Sequence, residues 1–410
     1  MTANDLQDEN PTALIGLAKL MAMAFAGADL APLGTELIAR ANANPCANTL
    51  MDLSTVLQLR GNRELALLMQ ADAIGNQQIY TPPTANGPVK LRVCAIMSNG
   101  DLMANTPLEF LLENSDIALT QVYVTANRHL PAQLPDHDVL FVAVAQSDDN
   151  MPLLQELAVT LAAWPHPVLN LPARIALLSR DQACALLQYL PGVMMPVTVR
   201  VGRQRLEQLS SNGLSADSLM ADGAYPMIVR PVDSHAGQGL DKITDVATLA
   251  AYLQDHNGSE FYVSRFIDYR SPDGLFRKYR IVLIAGRPFI CHLGISEHWM
   301  IHYLNAGMAE NDQKRAEEAH VMATFDTSFA TKHAEAFSAI TGCLGLDYLG
   351  IDCAETPDGK LLIFEVDSCM IVHALDPVEL FPYKQPQMHK VFAAFRQMLL
   401  DATPQDALAP

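Results

Sequence analysis

Long uninterrupted apolar runs are missing from this chain, although 50% of its residues are hydrophobic. The most apolar stretch, Ala13 to Leu33, is broken by Lys19 and Asp29 and preceded by the acidic Asp5, Asp8 and Glu9. A signal peptide needs a basic start and a membrane helix about 20 apolar residues. The stretch therefore reads as a core helix, and no membrane is expected. Positive charge is also scarce. Lys and Arg number 27 against 45 Asp and Glu, a net charge of −18, which argues against nucleic acid as a general partner because phosphate backbones call for a basic surface. The seven cysteines (46, 94, 184, 291, 343, 353 and 369) are scattered, with no C-x-x-C pair. Neither a disulfide framework nor a zinc site is suggested, and a reduced cytoplasm is the expected location. G-x-S-x-G, H-E-x-x-H and the Walker-type G-x-x-x-x-G-K-[ST] are absent as well.

What is present falls into three textures. Residues 1–83 read as helical. Leu53, Leu57, Leu65, Leu68, Ala71 and Ile74 recur at helical spacing, Gly61-Asn62 breaks the run and Pro82-Pro83 ends it. A tetratricopeptide-like hairpin and a simple helical cap both fit. Residues 84–190 alternate short apolar strands (Leu91–Met97, Leu119–Val124, Val139–Val144, Pro167–Leu169) with helices around Leu153–Ala163 and Arg180–Leu190, the signature of a parallel α/β sheet. The first strand runs into Ser98-Asn99-Gly100-Asp101, which is no dinucleotide fingerprint. Ser98, Asn99, Asn105 and Thr106 either line a substrate pocket at the strand ends or cap an ordinary loop. Residues 191–403 read as α+β, with strands at Met227–Arg230, Phe261–Phe266, Tyr279–Ile284, Pro288–Leu293, Leu349–Cys353 and Leu361–Val366. Helices are expected at Val246–Gln254, Ser328–Thr341 and Gln387–Leu400.

Within the acidic chain, Arg265, Arg270, Arg277, Lys278, Arg280 and Arg287 crowd together. Such a focus suits a small polyanion such as a nucleotide, or else the solvated face of a strand pair. The sharpest motif is YLGIDCAETPDGKLLIFEVD, two apolar strands around the turn signal Thr356-Pro357-Asp358-Gly359. A turn centred between Asp358 and Gly359 puts Asp352 opposite Glu365, with Asp367 two residues on along the same face. Two carboxylates about 5 Å apart repel by roughly 3 kcal/mol at an effective dielectric of about 20. A cation is therefore expected among them, and magnesium, which prefers oxygen ligands and shares them with substrate phosphates, is the natural occupant. In YPMIVRPVDSHAGQGLDKI, a strand ending in Arg230 enters a loop containing His235, Gly237 and Gly239, built for close backbone approach to a phosphate.

Together these motifs resemble the ATP-grasp superfamily, in particular the group of D-alanine–D-alanine ligase, glutathione synthetase and the ligase that adds glutamate to a ribosomal protein. The resemblance implies an α/β pre-ATP-grasp domain followed by an ATP-grasp domain of two α+β subdomains. It also implies ATP and magnesium as cofactors and formation of an amide-type bond from a carboxylate, small molecule or peptide, through an acyl phosphate. Asp352, Glu365 and Asp367 match the family's magnesium signature, with Asp367 where Asn is usual. Arg230 stands for the family's phosphate-contacting Lys, and the loop around His235, Gly237 and Gly239 for its glycine loop. VSRFI resembles the adenine-binding hinge, which implies adenine contacts from Ser264, Arg265, Phe266 and Ile267. FRKYRIVLIAG resembles the strand carrying the phosphate Arg, which is Arg280 here, with Lys278 one strand period away on the same face. The segment CHLGISEHWMIHYLNAGM lies where such ligases hold a loop over the γ-phosphate and acceptor. His292, His298, His302, Asn305 and, further on, His373 are candidates to bind substrate or serve as general base, although isolated histidines are more often structural. LNLPARIALLSRDQACALLQYLPGVMMPVTVRV resembles the family's entry into its first grasp subdomain and brings no chemistry of its own. The helical first 80 residues lie outside the resemblance. They are expected to be dispensable for ATP binding and to serve a protein partner or a homo-oligomer. A grasp-fold kinase acting on a hydroxyl and a non-catalytic nucleotide-binding regulator remain alternatives.

Overall fold

The computed structural model describes residues 13–211, 213–220, 223–234 and 237–403. Four helices come first: α1 (Leu17–Phe25), α2 (Ala31–Ala43), α3 (Ala47–Leu59) and α4 (Arg63–Asn76). Leu20 of α1, Leu33 and Leu37 of α2, and Leu53, Val56 and Leu57 of α3 form a small core of their own. The helical spacing is thus met on α3. On α4 it is met only by Ile74, since Leu65 and Leu68 are exposed.

The next stretch holds β1 (Ile79–Tyr80), β2 (Leu91–Ser98), α5 (Leu108–Leu111), β3 (Ile117–Val124), β4 (Val139–Val142), α6 (Met151–Thr160), β5 (Val168–Leu169), α7 (Pro172–Ile175) and α8 (Arg180–Leu187). The sheet order is β1-β3-β2-β4-β5. β2 runs parallel to β3 and β4, and only β1 is antiparallel. Every residue of β4 is buried, as expected of a parallel strand covered on both faces.

Two further sheets follow. β7 (Thr198–Gly202), β8 (Met227–Pro231), β9 (Asp241–Ile243) and β10 (Glu260–Arg265) make an antiparallel sheet in the order β7-β10-β8-β9, accompanied by α9 (Arg203–Ser210) and α10 (Val246–Asp255). The last sheet contains β11 (Phe276–Ile284), β12 (Arg287–Ser296), β13 (Tyr348–Glu355) and β14 (Leu361–Asp367), with the earlier β6 (Val193–Met194) joining its edge in parallel. Its helices are α11 (Asp312–Thr324), α12 (Phe329–Lys332), α13 (Ala334–Leu344) and α14 (Lys384–Ala402). The expected fold class is observed: a helical start, a parallel α/β sheet, then two α+β units. The expected helix at Ser328–Thr341 is two helices, α12 and α13, and α11 was not anticipated. Among the described residues no helix is long and apolar enough to cross a membrane.

The helical start is not packed as a separate body. Leu14, Ala47, Leu50, Met51, Ala73 and Ile74 share one apolar cluster with Leu91, Val93 and Phe141 of the parallel sheet and with Val391 and Phe395 of α14.

Candidate active site

The site begins with strand register. Arg280 of β11 faces Asp352 of β13, and Asp352 faces Glu365 of β14, so three charged residues form a ladder across three strands. The register from Gly350↔Asp367 to Asp352↔Glu365 is the one the sequence predicts. Cys353 then pairs with Ile363, leaving Phe364 as the extra residue of a bulge. Alternation along β11 puts Lys278 on the same face as Arg280. Lys278 Nζ lies 2.7 Å from Asp352 Oδ2. Arg280 grips the same carboxylate with both arms, Nε donating at 2.8 Å and Nη2 at 3.0 Å, the fork geometry that makes arginine pairs strong. Burial would raise the Asp352 pKa, but Arg280 and Lys278 outweigh it and hold the carboxyl well below its usual range.

Glu365 is paired with Arg180, the first residue of α8, whose Nη1 also donates to the Phe364 carbonyl at 3.4 Å. Burial raises the Glu365 pKa, but the positive charges of Arg180 and Arg230 bring it below the usual value. Arg230, on β8, is buried and donates through Nε to Ser234 Oγ at 3.1 Å. Desolvation, followed by the like charge of Arg180, pushes its pKa down to about 10, so extra negative charge beside these two arginines is favoured. Asp367 accepts the backbone N–H of Cys369 at 2.9 Å.

These groups line one cavity of about 540 Å³. Ser264, Arg265, Phe266 and Ile267, at the end of β10, line it as well, together with Gly237, His292, His302, Asn305 and His373. Phe266 meets Trp299 edge-on at 5.7 Å and carries Lys242 Nζ 3.6 Å over its face. Gly237 stands at φ 76, backbone that an L side chain rarely adopts. Burial, reinforced by Arg280 for His292 and by Lys278 for His302, lowers both imidazole pKa values and keeps the rings neutral. His302 and Asn305 cap each other's turn, with the His302 N–H donating to Asn305 Oδ1 at 3.0 Å.

The structure does not bring every candidate residue together. Among the described residues no three His, Cys, Asp or Glu side chains are placed together to hold a metal ion. Asp352, Glu365 and Asp367 share the cavity, but Asp352 is engaged by Lys278 and Arg280, and Glu365 by Arg180. The carboxylate repulsion expected in the absence of a metal is therefore relieved by the protein's own cations. His298 is exposed and does not line the cavity. Gly239 does not line it either, and its carbonyl accepts the Tyr252 hydroxyl at 2.7 Å. Ser98, Asn105 and Thr106 bind one another's loop and the Ser368 carbonyl instead of lining a pocket, as in Asn105 Nδ2 to Ser98 O at 2.8 Å and Thr106 Oγ1 to Ser368 O at 2.9 Å. His235 lies outside the described residues.

Two features went unread. Arg180 sits in LLSRDQACALL, a segment read as framework, and its reach to Glu365 is a long-range contact that no local pattern announces. Glu318 of α11 is fully buried and accepts from the Leu293 N–H (2.9 Å), the Tyr303 hydroxyl (2.9 Å) and the Tyr383 hydroxyl (2.7 Å). Lys384 lies 3.9 Å over the Tyr303 ring. This network holds Tyr303, which lines the cavity and has its ring centre 4.4 Å from that of His292.

No family model and no curated protein matches the chain. Among solved structures it is similar to a D-Ala:D-Ser ligase from Enterococcus faecalis at 16% identity, over 76% of this chain and 99% of that one, with a TM-score of 0.45. It is similar to the D-alanine–D-alanine ligase from Bacillus anthracis complexed with ATP at 13% identity, over 76% and 97%, with a TM-score of 0.44. A RimK domain ATP-grasp protein from Sphaerobacter thermophilus has 16% identity, over 75% and 99%, with a TM-score of 0.41. A likeness of this degree assigns neither a family nor an activity.

Proposed function

We propose that the protein is an ATP-dependent ligase of the ATP-grasp type. The observation that carries this reading is the meeting of four cations from three separate elements around one cavity: Arg180 of α8, Arg230 of β8, and Lys278 and Arg280 of β11. Each is buried or half-buried, which strengthens its attraction for a polyanion. Phe266, Ile267 and Trp299 supply an apolar slot on the same cavity, suited to a flat base.

Magnesium fits the donor set in part. A nucleotide-bound magnesium needs only one or two protein carboxylates, because phosphates and water complete its octahedron. Glu365 and Asp367, alternating on one face of β14, are the residues that would hold it, and Asp352 would remain the counter-ion of the two β11 cations. The ion would supply charge neutralisation for the phosphates.

In the proposed reaction a substrate carboxylate attacks the terminal phosphorus of ATP and ADP departs. An amine then displaces phosphate from the acyl phosphate, losing a proton and leaving an amide. Arg230, Lys278 and Arg280 stabilise negative charge in transfer. The neutral His292 and His302 are suited to donating or accepting a hydrogen bond toward substrate. The test is a screen of amino acids and small peptides for stimulated ADP release, with product masses read out. Amide product with ADP and phosphate supports the ligase. A phosphoester product would make it a kinase, and binding without turnover under every substrate would make it a regulator.

A further inference from the structure

One wall of the cavity is left without a task by the nucleotide chemistry. It is built from α1, which contributes Met21 and Phe25, and from the chain after β14, which contributes Met370, Ile371 and His373. Phe25 is 39% exposed, and its ring stands edge-on to His373 with centres 4.7 Å apart. The charged side chain on this wall is Asp376, already paired with Lys384 at 3.2 Å. His373 Nδ1 accepts the Leu375 N–H at 3.2 Å, so the neutral ring carries its proton on Nε2 and has a donor to offer.

The placement of α1 is anchored at its start. Asp52, buried on α3, accepts the Ile15 and Gly16 N–H groups at 2.9 and 3.0 Å, and buried Glu109 accepts that of Ala18 at 3.1 Å. Gly16 stands at φ 88, and a Cβ there would come within 2.7 Å of Glu109 Oε2. From this anchor, Ala18 and Met21 pack with Phe110, Ile371 and Leu375. The Ile371 carbonyl in turn accepts Arg280 Nη1 at 3.3 Å. The helix outside the family resemblance is thus one residue removed from the cation–carboxylate ladder.

We infer that α1 is the substrate-selecting wall of the site, and that the carboxylate it admits bears a bulky apolar side chain that covers Phe25 and Met21. This rests on the ligase reading for its chemistry. A mostly apolar wall rewards added hydrocarbon and leaves a charged side chain without a partner. The His373 donor suits a carbonyl or carboxylate oxygen of the same molecule.

The test uses the full-length protein in isothermal titrations, with and without a non-hydrolysable ATP analogue. The probes are L-leucine, L-phenylalanine and 3-phenylpropionate against L-alanine and L-aspartate. The apolar probes should bind at least about tenfold more tightly than alanine or aspartate, the discrimination a hydrophobic pocket gives. Phe25→Ala, at an exposed position that folding tolerates, should remove most of that preference and leave affinity for the ATP analogue unchanged. The inference is overturned if no apolar probe binds, if alanine or aspartate binds as well, or if Phe25→Ala keeps the preference. Analogue binding without apolar selection would sink the role of α1 and leave the ligase reading standing. Apolar selection without analogue binding would do the reverse.

Discussion

Asp352 is the residue on which the centre turns, and its position explains why Lys278 and Arg280 can stand side by side. Two like charges on one face of a strand repel, and a buried carboxylate between them makes the group net positive by one instead of two. Arg280→Ala leaves Asp352 with Lys278 alone and removes a bidentate, charge-assisted contact. ATP affinity or phosphoryl transfer should weaken by roughly 1.5–3 kcal/mol, read by titration and steady-state kinetics, and unchanged values would move the nucleotide elsewhere. Glu365→Gln tests the other rung of the ladder. It removes the negative charge that balances Arg180 and one of the two proposed magnesium oxygens. Phosphoryl transfer should be lost, with ATP still binding through the cations and the slot around Phe266. Asp367→Asn should be far milder, and equal losses in the two variants would contradict the assignment. At this scale the alternation of Lys278 and Arg280 and the facing of Asp352 and Glu365 were legible in the sequence, because strand period and hairpin register are local. The partners were not. Arg180 meets Glu365 across 185 residues of chain, and local patterning carries no trace of such a contact.

At the scale of elements, the pairing of β13 with β14 followed from a turn signal between apolar runs, and strands near β10 and β11 followed from their apolar content, whereas the roles given to Ser264–Ile267 and Arg280 came only from the family resemblance. α11 escaped notice because its burial rests on few positions, Glu318 and Met322, in an otherwise polar helix. The attachment of α1 escaped as well, being made by backbone N–H groups and two buried carboxylates. That attachment makes a pH prediction. Desolvation pushes the Asp52 pKa from 3.8 up to about 7, against the lowering effect of the Ile15 and Gly16 N–H groups. Burial likewise raises that of Glu109. Between 3.8 and about 7 the folded protein therefore binds more protons at Asp52 than the unfolded chain does, and stability falls as pH rises through that window. The slope from one such group is at most about 1.4 kcal/mol per pH unit. Denaturant titrations from pH 5 to 8 should show stability declining in the wild type, with a shallower decline in Asp52→Asn, which has no charge to bury. Parallel slopes in the two proteins would mean that Asp52 does not titrate in the fold.

For the whole molecule, the three textures of the sequence run in order through four helices, a parallel sheet and two further sheets, but the seams between them are not where the packing ends. Pro82-Pro83 reads as a boundary because proline stops helices, and a local stop is silent about which apolar faces later meet. In the fold, α3 and α4 pack with the parallel sheet and with α14, so the first helices and the last share a single cluster. Tyr80, fully buried, sits on β1, which pairs with β3. Removing residues 1–80 would take away Met21 and Phe25 from the cavity, strip the Ala18 N–H from buried Glu109, and uncover Leu91 and Val93. An uncovered apolar face costs about 25 cal/mol per Å², and Glu109, left with the Gln121 amide but without the Ala18 N–H, costs further stability. The truncated protein should therefore melt about 5 °C or more below the full chain, or fail to stay in solution, as several kcal/mol would require at this size. Differential scanning calorimetry of both forms decides the matter. A truncated form that melted at the temperature of the full chain and bound ATP equally well would restore the view of the helices as a detachable module. It would also remove the physical basis for giving α1 a part in substrate choice, because a helix that can leave without cost is not held firmly enough to shape a pocket.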